Sequence, residues 1–355
     1  MRALVYPYDE NFEVFIRYGR FVNDIKILEI LSPIGWGLKE KVVGENLVVK
    51  TDVKDVDWEG VEALLLIDSI RTNLNMDEIM RVVTFSVKQG KNIILNRNVN
   101  DEIYSRLVEL CEEERVSLID FRNQDQWQVV NDRHIKTINT PIVVVAGMGE
   151  HCNKLEVQLY LKKYLRNLEY KVCLVSSRVN TAILGAHSFP DFMFGNKLDE
   201  SSKIINFNHF IKKLEIEEKP DIILIGIPGS IMPVSEKHSE YFGVFAFEVF
   251  NAIKSDVLLL CMHNNIYTNE YFEEVQKLFK YRYQSDIDAI IISNYAYDSF
   301  SLETEGEIKY LSFDDAEVDR YIADYPQNVY GRTAYEKLAE NVIAILSDYA
   351  DCQVM

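Results

Sequence analysis

Residues 141–159 read PIVVVAGMGEHCNKLEVQL, and the reading of the whole chain turns on them. Ile142 to Val145 is a short β-branched run without polar alternation, the pattern of a strand covered on both faces. Gly147 and Gly149 interrupt it. Lys154 then opens a helical period in which Val157, Leu161, Leu165 and Leu168 share one face. A strand that passes through a glycine turn into a helix aims backbone N–H groups and the positive helix end at one point. That point suits a phosphate.

The stretch resembles a P-loop, whose usual form is G-x-x-x-x-G-K-[ST]. Gly147 supplies the first glycine and Lys154 the lysine, with Gly149 between them. Asn153 stands where the second glycine belongs, and Asn tolerates a positive φ better than most residues. Leu155 replaces the hydroxyl residue. The Gly147-to-Lys154 spacing is similar to that of the dethiobiotin synthetase and cobyric acid synthase branch, whose loop reads G-T-x-x-x-V-G-K-[ST]. That resemblance implies three magnesium-ligand positions: an acid inside the loop, the hydroxyl after the lysine, and a glutamate at a later strand end. They fall here on Gly149, Leu155 and the neighbourhood of Gly226. All three ligand types are missing together, and a hard cation needs oxygen ligands. Mg²⁺-dependent phosphoryl transfer is therefore disfavoured, with Glu150 and Glu156 as the acids that could substitute.

A further group of P-loop proteins carries a G-x-G-S segment. Gly229-Ser230 matches its end, with Ile227 in place of its first glycine. Related folds place an asparagine that reads a purine edge at a strand end, where this chain has Asn294. A turn or helix cap is the competing reading of Asn294. An ordinary strand–turn–helix corner is the competing reading of the loop itself.

At 355 residues, nearly half of them hydrophobic, the chain has material for two globular domains. Lys and Arg number 38 against 56 Asp and Glu, so 38 − 56 gives a formal charge of −18. So acidic a surface disfavours nucleic acid and anionic membranes as partners. Five scattered cysteines (Cys111, Cys152, Cys173, Cys261 and Cys352) without C-x-x-C spacing point to a reducing, cytoplasmic setting. No apolar run approaches the length of a membrane span, and none reads as a signal peptide.

Strand and helix signals alternate from Ala3 to Ile119. Strands are expected at Ala3–Tyr6, Ile25–Leu31, Ala63–Ile67, Asn92–Leu95 and Val116–Ile119, and a small strand or hairpin at Val42–Val49. Helices are expected at Asn11–Val22, Met76–Lys88 and Asp101–Glu114. The fold class is α/β: two open, mostly parallel sheets flanked by helices, a Rossmann-like domain at 1–121 and a P-loop-like domain at 141–355, with 122–140 as linker. No G-x-G-x-x-G follows the first strand, so no dinucleotide is inferred. Asp68, Asn96, Arg97 and Asp120 fall at strand ends where ligands collect, but the favoured reading of them is as loop and cap residues, because fold position alone does not assign function. In the second domain, 181–198 reads as one long loop.

Taken over its whole length, the chain resembles a family of peptide maturation system proteins from bacterial cassettes for ribosomally synthesised, modified peptides. The stretches that carry this are YPYDENF (6–12), LSPIGWGL (31–38), VVVAGMGEHCNKLEVQL (143–159) and NEYFEEVQKLFKYRY (269–283). The resemblance implies a precursor peptide, cassette enzymes and a small acyl-carrier-like protein as partners. Nothing in it assigns a reaction.

Three readings follow. The first is an accessory protein whose degenerate P-loop binds ATP or another nucleotide, or a phosphopantetheine arm, without efficient hydrolysis. Gly147, Gly149, Asn153, Lys154, Leu155, Gly229, Ser230 and Asn294 are its candidate binding residues. The second is an ATP-dependent ligase or acyl transferase, and the third a non-catalytic scaffold. A homodimer fits the P-loop reading. Side options are zinc held by His151, Cys152, Cys261, His263 and His187, and a nucleophilic Cys152 with its thiol pKa lowered by a helix N-terminus and Lys154.

Overall fold

The computed structural model describes residues 1–355 except 45, 70–73, 123–126, 179–180, 237, 299–300, 302–307 and 353–355. Met1–Gln126 together with Val179–Ser188 forms one unit, and Trp127–Arg178 with Phe189–Met355 the other.

The first unit runs β1 (Arg2–Tyr6), α1 (Glu13–Tyr18), β2 (Lys26–Leu31), β3 (Val42–Val43), β4 (Leu47–Lys50), β5 (Ala63–Ile67), α2 (Met76–Lys88), β6 (Asn92–Asn96), α3 (Asp101–Glu113) and β7 (Leu118–Asp120). Its sheet is ordered β3-β4-β2-β1-β5-β6-β7. All neighbours are parallel except the β3–β4 hairpin. Without β3, the strands lie in the doubly wound order 3-2-1-4-5-6. The helices follow from their caps and faces. Asn75 caps α2 by accepting from the Asp77 N–H, and Asp77 and Glu78 sit in its first turn, where the helix dipole favours acids. Ile79, Met80, Val83 and Val87 then bury against Leu64, Leu66 and Ile93. The helix expected at Asn11–Val22 is shorter because Gly19 leaves the helix in an extended conformation, φ −70° and ψ 138°.

The second unit contains β8 (Ile142–Gly147), α4 (Lys154–Asn167), β9 (Val172–Val175), α5 (Asp191–Phe194), α6 (Glu200–Glu218), β10 (Ile222–Gly226), α7 (Val244–Ala252), β11 (Val257–Met262), α8 (Asn269–Tyr283), β12 (Ala289–Ile292), β13 (Tyr295–Tyr297), β14 (Tyr310–Ser312), α9 (Asp315–Ile322), β15 (Val329–Tyr330) and α10 (Tyr335–Cys352). Its main sheet, β15-β12-β11-β8-β10-β9, is parallel throughout, and β13–β14 is a separate antiparallel ribbon. Residues Ile142 to Ala146 are at most 2% exposed. Each buried valine there contributes roughly 1.5–3 kcal/mol. With β8 flanked by β10 and β11, Val145 pairs Gly226 and Gly147 pairs Cys261, so the loops leaving these three strands meet at one edge.

Two expectations change. The stretch taken as a linker, 122–140, is from Trp127 onward an extended strap on α6. The Trp127 indole and the Val130 N–H donate to Asn206 Oδ1 at 2.8 and 2.9 Å, and the Asn139 and Thr140 N–H groups to Glu215 Oε1 at 2.6 and 2.7 Å. Polar side chains on α6 satisfy strap backbone that would otherwise need water. The long loop at 181–198 contains a 3₁₀ turn, Ala182–Leu184, and helix α5, and its first part belongs to the first unit. Among the described residues no helix is long and apolar enough to cross a membrane.

Gly226 abuts the amide of the fully buried Gln158, and a Cβ there would collide with it. Overpacking of this kind costs about 1–3 kcal/mol. Gly226→Ala is expected to lower the thermal unfolding midpoint by several degrees in circular dichroism, with part of the loss recovered in Gly226→Ala/Gln158→Ala. An unchanged midpoint would refute the contact.

Candidate functional site

The β8–α4 loop turns through left-handed conformations at His151 (φ 54°) and Asn153 (φ 64°). Asn153 is the N-cap of α4, so the residue in the second glycine's place does adopt the positive φ. Gly147 is confined from the other side. A Cβ there would lie 2.6 Å from Cys152 Sγ and 2.7 Å from the Lys154 side chain. Gly149 sits beneath Tyr297 and His263, which leave no room for a Cβ.

Lys154 is only 5% exposed. Its ammonium donates to the Gly229 carbonyl and lies 3.3 Å from Glu150 Oε2. The other Glu150 oxygen accepts from the Gly229 N–H at 2.7 Å. A carboxylate therefore lies between a lysine ammonium and a backbone N–H. Burial would raise the Glu150 carboxyl, but Lys154, the Gly229 N–H and Arg178 outweigh it and hold its pKa below the usual value. Burial would lower the Lys154 ammonium, and Glu150 outweighs that and keeps it raised. Glu150 nevertheless keeps 40% of its side chain exposed, so one side of the pair faces solvent.

The remaining expected residues divide. Gly229, at φ 69°, supplies both its N–H and its carbonyl to the pair. Ser230 Oγ is turned away, 2.5 Å from the Met232 carbonyl. Leu155 is buried in the core. Glu156 lies 3.7 Å from Arg332 and is 7% exposed, an acid engaged in the fold. Asn294 donates to the Phe313 carbonyl at 3.1 Å and to Asp315 Oδ1 at 2.6 Å. Its oxygen faces Asn153 Nδ2 at 3.4 Å. Both amide donors that would read a base are thus engaged at the turn before α9. Near Gly226, where the resemblance places a metal-binding glutamate, the Gln158 amide fills the space, bonded to Ser177 and the Lys154 carbonyl.

The cysteine options do not hold. Cys152 is fully buried, and burial pushes its thiol up to about 11 despite Lys154, so it is no thiolate nucleophile at neutral pH. Its Sγ donates to the Gly149 carbonyl. Cys261 is buried and raised well above the ordinary thiol value. The side chains of His151, Cys152, Cys261 and His263 do not bring three ligand atoms within 4.8 Å of one another. His187 belongs to the first unit.

One element was not legible in advance. Glu240, Tyr241, Phe242 and Gly243 all have positive φ, 39°, 67°, 54° and 73°. This left-handed turn brings Glu240 Oε2 to the Glu150 N–H at 2.8 Å and the Glu240 carbonyl to the Ser230 N–H at 3.2 Å. It braces both loops that form the cradle. Only Gly243 hinted at it; three non-glycine residues in this region follow no sequence rule. A cavity of about 750 Å³ lies at the opposite end of the sheet, beside Ile142, Asp256 and Tyr283, and none of the cradle residues lines it.

The molecule is thus a two-unit α/β protein, with a doubly wound sheet in one unit and, in the other, a parallel sheet whose strand β8 passes through a glycine-containing turn into α4. Over 97% of this chain and 99% of the other, the fold is similar to that of a DUF1611 family protein from Anabaena variabilis, with a TM-score of 0.64 and 10% identity. Two further solved structures are more distant. The signal recognition particle receptor FtsY from Elizabethkingia anophelis has a TM-score of 0.28 and 13% identity over 64% of this chain and 84% of that one. The Signal Recognition Particle 54 kDa protein from Aeropyrum pernix in complex with GDP has a TM-score of 0.27 and 15% identity over 61% and 48%. No protein-family model and no curated protein matches the sequence.

His263 Nε2–H donates to the Glu150 carbonyl at 2.7 Å, and burial pushes its pKa down to about 4. In the unfolded chain an imidazole titrates near 6.5. A depressed folded pKa gives stability that is full above the unfolded value and is lost as pH falls toward the folded one, at most roughly 3 kcal/mol here. Urea unfolding between pH 7 and pH 4.5 should show this loss, and His263→Gln should show less of it. An imidazole resonance of His263 titrating near 6.5 would contradict the assignment.

Proposed function

We propose that the second unit binds a phosphate-bearing ligand of the nucleotide class, ATP or another nucleotide, in the cradle now held by Glu150, without efficient hydrolysis. The observation that carries this is the carboxylate itself. It lies between the Lys154 ammonium and the Gly229 N–H, with the Arg178 charge acting on it, as a phosphate oxygen would. Glu150 leads back to solvent, so it can swing out and leave the ammonium to the incoming anion. Leu155 and Gly226 offer no oxygen side chain to a magnesium ion, which argues for binding rather than turnover.

The resemblance to peptide maturation system proteins supports an accessory role in that setting, beside a precursor peptide and an acyl-carrier-like partner whose phosphopantetheine arm carries the same phosphate. In cells, Lys154→Ala would then leave the precursor unmatured.

Titration calorimetry with ATP, ADP and coenzyme A, with and without Mg²⁺, tests the cradle. Glu150→Ala removes the internal competitor and should bind at least one of them about tenfold more tightly than the parent chain, equivalent to about 1.4 kcal/mol. Lys154→Ala should abolish that binding. No heat from any of the three with Glu150→Ala would overturn the proposal.

A further inference from the structure

The first unit carries its own set of polar groups at the edge where doubly wound sheets bind ligands. The strand order reverses at β1, which has β2 on one side and β5 on the other. In such sheets the crevice beyond the carboxyl ends of these strands is where ligands sit. The register puts Tyr6 opposite Leu66, Leu66 opposite Leu95, and Ile67 opposite Asn96. Tyr6 ends β1, Ser32 follows β2 directly and Arg97 follows β6 directly. All three therefore rise at the same edge, across about three strand spacings of about 4.8 Å each.

These residues share an unusual state. Tyr6 is 1% exposed and Ser32 is 0% exposed, yet among the described residues neither hydroxyl has a hydrogen-bond partner. Arg97 donates through Nη1 to the Ile67 carbonyl at 3.2 Å, which turns it toward β5, while its buried Nε has no partner among the described residues. A buried polar atom left without a partner costs about 1–3 kcal/mol, and three at one edge call for an explanation. The charges acting on the Tyr6 hydroxyl are Glu78, which raises its pKa along with burial, and Arg81 and Arg97, which lower it. Two cations and one carboxylate thus act on this hydroxyl, while Asp9 and Asp68 follow β1 and β5 at the same edge and accept from the Asn11 and Asn98 N–H groups and the Ser69 hydroxyl.

We propose that the carboxyl edge of the first sheet is a second ligand site, in which Arg97, Tyr6 and Ser32 take up a small oxyanion-bearing molecule, a carboxylate or a phosphate. The guanidinium fork suits either anion, and two hydroxyls can donate to the same group. The β1 turn, Tyr6-Pro7-Tyr8-Asp9, has no glycine to let a pyrophosphate approach the backbone. The ligand is accordingly small and not a dinucleotide. This site is independent of the Lys154 cradle and stands whether or not that cradle binds nucleotide.

The full-length Lys154→Ala chain isolates it, because phosphate binding there no longer involves the cradle. Succinate, L-glutamate and inorganic phosphate are titrated by calorimetry into that chain and into the same chain carrying Tyr6→Phe or Arg97→Met. At least one probe should bind, and each added substitution should weaken it tenfold or more. Tyr6→Phe removes only an unpartnered hydroxyl, so its fold and thermal midpoint should be kept. Binding of the carboxylates alone or of phosphate alone identifies the anion. No binding by any probe, or an unchanged affinity in either added variant, overturns the proposal.

Discussion

A buried ammonium has to be neutralised where it stands, and in this protein that requirement shapes the second unit. Lys154 starts a helix inside the fold, out of reach of bulk water, and charge in such a place persists only when paired and hydrogen-bonded. Glu150 and the Gly229 carbonyl meet the requirement. Almost every constraint on the surrounding loops follows. Glycine is needed at 147 so that the lysine stem can pass, at 149 so that Tyr297 and His263 can close over the turn, and at 229 for a positive φ.

The same arrangement explains why acid–base and thiol chemistry are quiet around the loop. Burial drives His151 and His263 to about 4 and Cys152 to about 11, so at neutral pH all three are uncharged. The ionisable groups that remain there are the Lys154–Glu150 pair, Arg178 and the Glu240 carboxyl, whose pKa burial raises.

Much of the architecture could be read from residues alone, because its signals are local. The β-branched run at Ile142–Val145, the Asn75 cap and the α2 face each specify an element through nearest neighbours. Glu150 was visible only as a possible metal ligand, because nothing local says that it reaches a backbone N–H 79 residues away. Asn294 fell at a strand end as expected, yet its amide serves Phe313 and Asp315 in a turn that hydrophobic period does not mark. The strap on α6 reads as a linker for the same reason: its polarity is matched by Asn206, Asn208 and Glu215 on a distant helix. Tyr6 reads as an ordinary strand residue, and only the three-dimensional sheet reveals that its hydroxyl is stranded.

The left-handed turn at Glu240–Gly243 has a mechanical corollary. Each non-glycine residue in that region sits roughly 1–2 kcal/mol above its relaxed state, and three stand in succession, anchored through Ser230 and the Glu150 N–H. The turn behaves as a wound spring whose catch is the backbone of the cradle. Any movement that frees the Glu150 N–H also slackens the segment bearing Tyr241 and Phe242, both largely exposed. The position of an exposed aromatic pair is thereby tied to hydrogen bonds made at the β8–α4 loop.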